Sequence, residues 1–231
     1  MILGLLQARM SSTRLPGKVM RPLLGAPMID RQLERLRRSR RIDRLAVATS
    51  DDPSDDALAG HLEAAGVLVH RGALHDVLGR FAGAAEAFGP ADHVVRLTAD
   101  CPLTDWRVID AVIDLHVAGG HDYSSCDLER TFPHGLDVEV MSSAALQVAA
   151  REATDPAERE HVTLFLYRRP ERFSLGSLTQ AVDQSHHRWT VDTPGDFAFV
   201  ERVYGRLYPA NPAFTTEDVL ALDFSHSAAD A

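Results

Sequence analysis

Residues 7–18 read Gln-Ala-Arg-Met-Ser-Ser-Thr-Arg-Leu-Pro-Gly-Lys and place three cations, Arg9, Arg14 and Lys18, within ten positions. The small hydroxyl residues Ser11, Ser12 and Thr13 lie between them and leave backbone N–H groups accessible. A triphosphate requires distributed positive charge and N–H donors, and such a loop supplies both. The spacing is not that of a Walker A loop, which needs GxxxxGK[ST]. A solvated basic surface loop would have the same composition. The lysine is a separate signal: among 24 Lys+Arg, Lys18 is the single lysine. A compact ammonium kept inside a Gly/Pro loop suits a position that a guanidinium cannot fill, unless it is a compositional remnant. Asp100 adds an isolated carboxylate two residues beyond the run Val94–Thr98.

The elements that must position these groups alternate between strand and helix patterns, which is the α/β signal. Ile2–Gln7 reads as a buried strand, and 9–25 as a long loop. A helix over 27–38, a strand over 45–48, a helix over 55–65 and a short strand over 67–70 follow. A helix over 75–88, a strand over 94–97 and a helix over 105–117 continue the rhythm. Residues 121–141 break it, with strand pieces at Tyr123 and Asp137–Met141 around a polar excursion. Helices over 143–152 and 156–168, strands over 173–178 and 188–191, and a helix over 195–207 complete the pattern. The weakly patterned 209–231 reads as a C-terminal tail, with 225–231 frayed. Both cation loop and aspartate thus fall at carboxyl ends of strands, where open α/β sheets bind ligands.

Composition narrows the function class. The 231 residues are 45% hydrophobic and 25% charged, ordinary for a globular chain. A formal net charge of −9 argues against nucleic acid or an anionic membrane as partner. The two cysteines, Cys101 and Cys126, are too few for a disulfide framework, and with no membrane-length apolar run or leader a cytoplasmic location is expected.

The 7–18 loop resembles the signature loop of cytidylyltransferases that make CMP-activated sugar acids (acylneuraminate, KDO and pseudaminate types), including the SpsF-like branch. Further matches run in order from about residue 2 to 205. They are Val47-Ala48-Thr49-Ser50, Arg71-Gly72 with Asp76-Val77-Leu78 and Arg80, and Arg96 through Leu103. Gly135-Leu136-Asp137-Val138-Glu139, Glu158 through Thr163 and Arg188 through Pro194 complete the set. The resemblance implies a GT-A-like, Rossmann-type mixed sheet flanked by helices, with 1–208 as the nucleotidyltransferase domain and 121–141 as a small arm for dimerisation and acceptor contact.

It also implies magnesium held by Asp100 and Asp192, although either aspartate would also serve as a helix cap ahead of Pro102 or Pro194. An acceptor oxygen would attack the α-phosphorus of CTP and pyrophosphate would leave, with Arg9, Arg14 and Lys18 as catalytic residues on the triphosphate. Ala8, Ser11, Ser12, Thr13, Arg71 and Asp76 join them as nucleotide contacts. His134, Asp137, Arg159, His161 and Arg188 match positions near the acidic acceptor, and a homodimer is expected. Ser11, Ala99, His134 and Gly195 depart from common family residues. A phosphonate or phosphorylated alcohol is the alternative acceptor. A GT-A glycosyltransferase is a further alternative, although Asp100-Cys101-Pro102 lacks its Asp-x-Asp.

Overall fold

The computed structural model describes residues 1–222. The 225–231 segment expected to fray therefore lies outside the described residues. In chain order the elements are β1 (Ile2–Gln7), β2 (Pro22–Leu23), β3 (Ala26–Pro27), α1 (Met28–Leu36), β4 (Arg44–Ser50) and α2 (Asp56–Ala64). β5 (Leu68–Gly72), α3 (Val77–Phe88), β6 (His93–Thr98), α4 (Trp106–Gly119), β7 (Tyr123–Ser125) and β8 (Glu139–Ser142) follow. The remainder is α5 (Ser143–Glu152), α6 (Pro156–Glu160), α7 (Leu164–Tyr167), β9 (Leu175–Ser177), α8 (Pro194–Leu207) and α9 (Thr216–Leu220).

Seven strands form one mixed sheet in the order β5-β4-β1-β6-β8-β7-β9. β1 pairs in parallel with β4 on one side and with β6 on the other, so the strand order reverses around β1. β8 runs antiparallel to β6 and β7, with Arg96 opposite Glu139. Both faces of β1 are covered: Leu3 and Leu5 join one apolar cluster with Phe81 of α3 and Leu146 of α5. Leu6 joins the other, with Leu33 of α1, Val112 of α4 and Val200 of α8. Burial on both faces is why β1 reads as an unbroken apolar run and not an alternating one. Each such leucine contributes about 2 kcal/mol of burial.

Four details differ from the sequence pattern. The helix expected over 156–168 is two short helices, interrupted at 161–163 where Val162 adopts φ 45° while fully buried. A buried β-branched side chain in that conformation is a genuine outlier, and the turn it makes ends α6. The strand expected over 188–191 reduces to a single bridge between His134 and Arg188. The 121–141 excursion contributes β7 and β8 to the main sheet, and residues 126–138 form the connection between them. Residues 209–222 are docked: buried Arg35 donates to the carbonyls of Thr104 and Phe214, and Thr216 donates through N and Oγ1 to Asp105.

Candidate active site

The loop after β1 is held at both ends. Ala8 N donates to Ala48 O at 3.2 Å, and Met10 N to Asp55 Oδ1 at 2.6 Å. Asp55 is fully buried and also accepts from Ser50 N and Ser50 Oγ. Gly17 N then returns to Met10 O at 2.9 Å. Gly17 has φ 68°, a left-handed conformation that costs glycine little. The turn it makes drives Lys18 inward, so this lysine is only 9% exposed. Ser11 is not among the residues with positive φ, so its departure from the family glycine brings no backbone strain there.

Asp100 follows β6, adjacent to β1 in the sheet, while Asp192 comes from far along the chain. The segment bearing Asp192 is pinned by backbone: Trp189 N donates to His134 O at 2.7 Å and Val191 N to Asp100 O at 2.8 Å. Gly135, at φ 103°, lets this approach happen, because a Cβ there would stand 2.8 Å from the carbonyl carbon of Trp189. Neither aspartate caps a helix. Thr193 caps α8 in a capping box with Asp196, and Asp105 caps α4. Both carboxylates are thereby left for another task.

They meet on Lys18. Its Nζ donates to Val191 O at 2.6 Å and to Asp192 Oδ1 at 3.2 Å, and lies 3.7 Å from Asp100 Oδ2. Arg14 and Arg188 also reach Asp192 Oδ2, at 3.0 and 2.7 Å. Burial alone would raise the Asp192 pKa, but hydrogen bonds and charge from Arg188, Lys18 and Arg14 hold it below the ordinary aspartate value.

These groups open onto a cleft of about 330 Å³ at the carboxyl ends of β1 and β6. Ala8, Arg9, Ser12, Thr13, Arg14 and Lys18 line it. Asp100, Asp192 and His161 line it as well. Ser11, Arg71, Asp76, His134, Asp137, Arg159 and Arg188 do not. Arg71 is committed to Ser50 O, Asp52 O and Asp56. Asp76 caps α3 by accepting from Gly79 N and pairs with Arg159, so two residues assigned to nucleotide and acceptor hold each other. Asp137 accepts from Arg130 and Gly135 N, and His134 is fixed through its backbone to the 187–189 segment. Arg188 reaches the site only by way of Asp192.

The donor set fits a hard divalent cation. Magnesium takes one or two carboxylates and completes its octahedron with phosphate oxygens and water. Asp100 and Asp192 supply that number and already enclose one positive charge, the Lys18 ammonium. Among the described residues no group of three or more His, Cys, Asp or Glu is placed to hold a metal.

A second cavity of about 440 Å³ shares Arg96 and His161 with the first. Arg96 of β6 pairs with Glu139 of β8, which also accepts from Tyr123 Oη at 2.8 Å and from Thr163 Oγ1. The sequence carried one sign of this: Arg96 is a charged residue inside the apolar run Val94–Leu97, and a carboxylate is one of the partners that can satisfy a guanidinium held there. The turn at Val162 sets His161 facing both cavities and Thr163 on Glu139.

Comparison with known proteins places the chain by family and by fold. A cytidylyltransferase family model matches residues 3–212. The chain is 35% identical over 210 residues to the spore coat polysaccharide biosynthesis protein SpsF of Bacillus subtilis, covering 88% of this chain and 86% of that protein. It is 31% identical to the 3-deoxy-manno-octulosonate cytidylyltransferase of Syntrophobacter fumaroxidans, covering 72% and 73%. The solved structure of a cytidylyltransferase from Leptospira borgpetersenii superposes with a TM-score of 0.89 at 31% identity, covering 95% and 92%.

Proposed function

Because the chain belongs to the cytidylyltransferase family, we propose that it transfers a cytidylyl group from CTP to a hydroxyl of an acidic sugar, using magnesium and releasing pyrophosphate. That it is a nucleotidyltransferase follows from family and fold together. The observation that carries the finer reading is the convergence of Arg9, Arg14 and Lys18 with Asp100 and Asp192 on one cleft. Catalysis of this kind of transfer is mostly positioning and charge neutralisation, which is what such a cleft can do.

Arg9 and the 12–14 segment, lining the cleft from the loop, would take the triphosphate by charge and N–H donation. Arg14, exposed at the rim, would exchange its contact with Asp192 for phosphate oxygens. Lys18, fixed by Val191 O, would face the charge that grows on departing pyrophosphate. Asp100 and Asp192 would hold the magnesium, whose contribution is charge neutralisation and acidification of an attacking hydroxyl. His161, where the two cavities meet, would contact the acceptor. An acidic sugar acceptor is supported by the relative named for 3-deoxy-manno-octulosonate. The reading includes a homodimer in the cytoplasm; no helix among the described residues is long and apolar enough to cross a membrane.

A thermal-shift panel tests the nucleotide. A ligand stabilises according to its affinity for the folded state, so CTP with Mg²⁺ is expected to raise Tm more than ATP, GTP or UTP. Pyrophosphate release from CTP across a set of sugar acids then reads the reaction. Equal shifts for all four nucleotides leave the cytidylyl assignment without support.

A further inference from the structure

The ammonium of Lys18 stands between the two carboxylates that would hold the metal, and these are not equally free. Both oxygens of Asp192 are engaged, Oδ1 by Lys18 at 3.2 Å and Oδ2 by Arg188 at 2.7 Å and Arg14 at 3.0 Å. Asp100 is looser. Lys18 lies 3.7 Å from its Oδ2, the Cys101 thiol donates to its Oδ1 at 3.4 Å, and its side chain is 33% exposed. Arg188 is shared with Asp196, so Lys18, Arg14 and Arg188 balance Asp100, Asp192 and Asp196 with no added ion. A divalent cation arriving alone therefore meets carboxylates whose charge is already compensated. It must also approach their oxygens to about 2.0–2.1 Å, beside an ammonium held in place by Val191 O at 2.6 Å.

A triphosphate changes this balance. It brings negative charge and acceptor oxygens into the same cleft and competes with Asp192 for Lys18 and for Arg14, whose side chain is exposed. We propose that Lys18 gates the metal pair: without nucleotide its ammonium is the internal counter-cation of Asp100 and Asp192. The pair then accepts a divalent cation only when phosphate draws Lys18 and Arg14 away. The proposal rests on the cytidylyl-transfer reading for the assignment of this pair to a metal. Lys18 thus acts in two opposite directions, strengthening the hold on nucleotide and weakening the hold on metal in its absence. A lysine that served phosphate alone would do only the first. The resulting coupling between metal and nucleotide belongs to the protein, beyond the affinity of the nucleotide itself for metal, and is reciprocal.

Calorimetric titration of Mn²⁺ into the full chain without nucleotide tests this. Lys18→Met is expected to bind Mn²⁺ about tenfold tighter than the parent, although it binds CTP more weakly. Arg9→Met removes a cleft cation that, among the described residues, pairs with neither aspartate, and should change Mn²⁺ affinity by about twofold or less. Lys18 is the single lysine of the chain, so lysine labelled at Cε gives one NMR signal that reports on it in the unaltered protein. Inorganic triphosphate without metal is expected to shift that signal, whereas the same concentration of Mg²⁺ alone leaves it in place. That comparison stands even if Lys18→Met fails to fold. Equal Mn²⁺ affinity in parent and Lys18→Met, no Mn²⁺ binding by either, or an equal gain in Arg9→Met would each overturn the gate. A Lys18 signal that Mg²⁺ alone moves, or that triphosphate leaves unmoved, would do the same. Turnover of CTP is measured separately. Equal Mn²⁺ affinities with turnover intact overturn the gate alone, whereas a gain in Lys18→Met with no turnover by the parent overturns the transfer reading and leaves the gate in place.

Discussion

Replacing Lys18 by arginine preserves charge and changes only shape, which makes it the sharpest probe of the cleft. Lys18 Nζ is a single point that serves Val191 O at 2.6 Å, Asp192 Oδ1 at 3.2 Å and Asp100 Oδ2 at 3.7 Å. A guanidinium is planar, longer and wider, and cannot place one nitrogen among three acceptors arranged around it. In a residue only 9% exposed, the added bulk is expected to cost about 1–3 kcal/mol of stability. Binding of CTP should weaken only several-fold, because the net charge of the loop is unchanged. The chemical step should suffer more, since a donor misplaced by about 1 Å costs ~10²-fold, or roughly 2.7 kcal/mol in the barrier. Lys18→Met removes the charge as well and should lose both binding and turnover. Its stability loss should stay near 1–3 kcal/mol, below that of an isolated buried pair, because Asp192 keeps Arg14 and Arg188. Single-turnover rates at saturating CTP, with urea melts of each variant, separate these effects. If Lys18→Arg matches the parent rate within about threefold, the lysine is a compositional remnant and the reasoning fails.

Asp100→Asn and Asp192→Asn should each abolish turnover while largely sparing the fold, because each removes an anionic ligand from a hard cation. Near-normal activity of either at limiting Mg²⁺ would remove that aspartate from the metal site. The chain should run as a homodimer in which 121–141 and 155–163 approach the partner, closed two-fold dimers being the commonest soluble oligomer. A monomeric mass by light scattering at micromolar protein, with full activity, would end that reading. Stability should also fall in mild acid through His116, which is fully buried between His93 and Ser124 and whose pKa burial lowers to about 4. Below the unfolded value of 6.5 the unfolded chain takes up a proton that the folded one refuses, so stability drops as pH falls from 6.5 to about 4. The loss should reach roughly 2–3 kcal/mol. Urea unfolding across that window should show a flatter slope for His116→Gln; an unchanged slope would assign the effect elsewhere.

Much of this molecule is legible from local pattern. The apolar run at Ile2–Gln7, the helix periodicities and the Gly-Lys turn are short-range signals, and β1, α4, α5 and α8 lie close to where those signals put them. The cation loop is local too, since Arg9, Arg14 and Lys18 are near neighbours in the chain and line one cleft. The break at 161–163 was not legible, because no proline or glycine marks it and Val162 is held at φ 45° by burial in the core. The strand expected over 188–191 failed for a related reason: a strand-like sequence cannot say whether a neighbouring strand is available, and among the described residues this segment makes an isolated bridge to His134.

The long-range pairings belong to the tertiary structure alone. Asp76 and Arg159, each plausible as a ligand contact by position, are 83 residues apart and neutralise one another. Arg96 and Glu139 read as unrelated charges until the antiparallel β6–β8 register sets them face to face. Glu139 also accepts the hydroxyls of Tyr123, from β7, and of Thr163, from the turn after α6, so its acceptor capacity is largely used by groups far away in the chain. Residue type states what a side chain can do, but a charge is silenced or left available by partners that the chain supplies from far away.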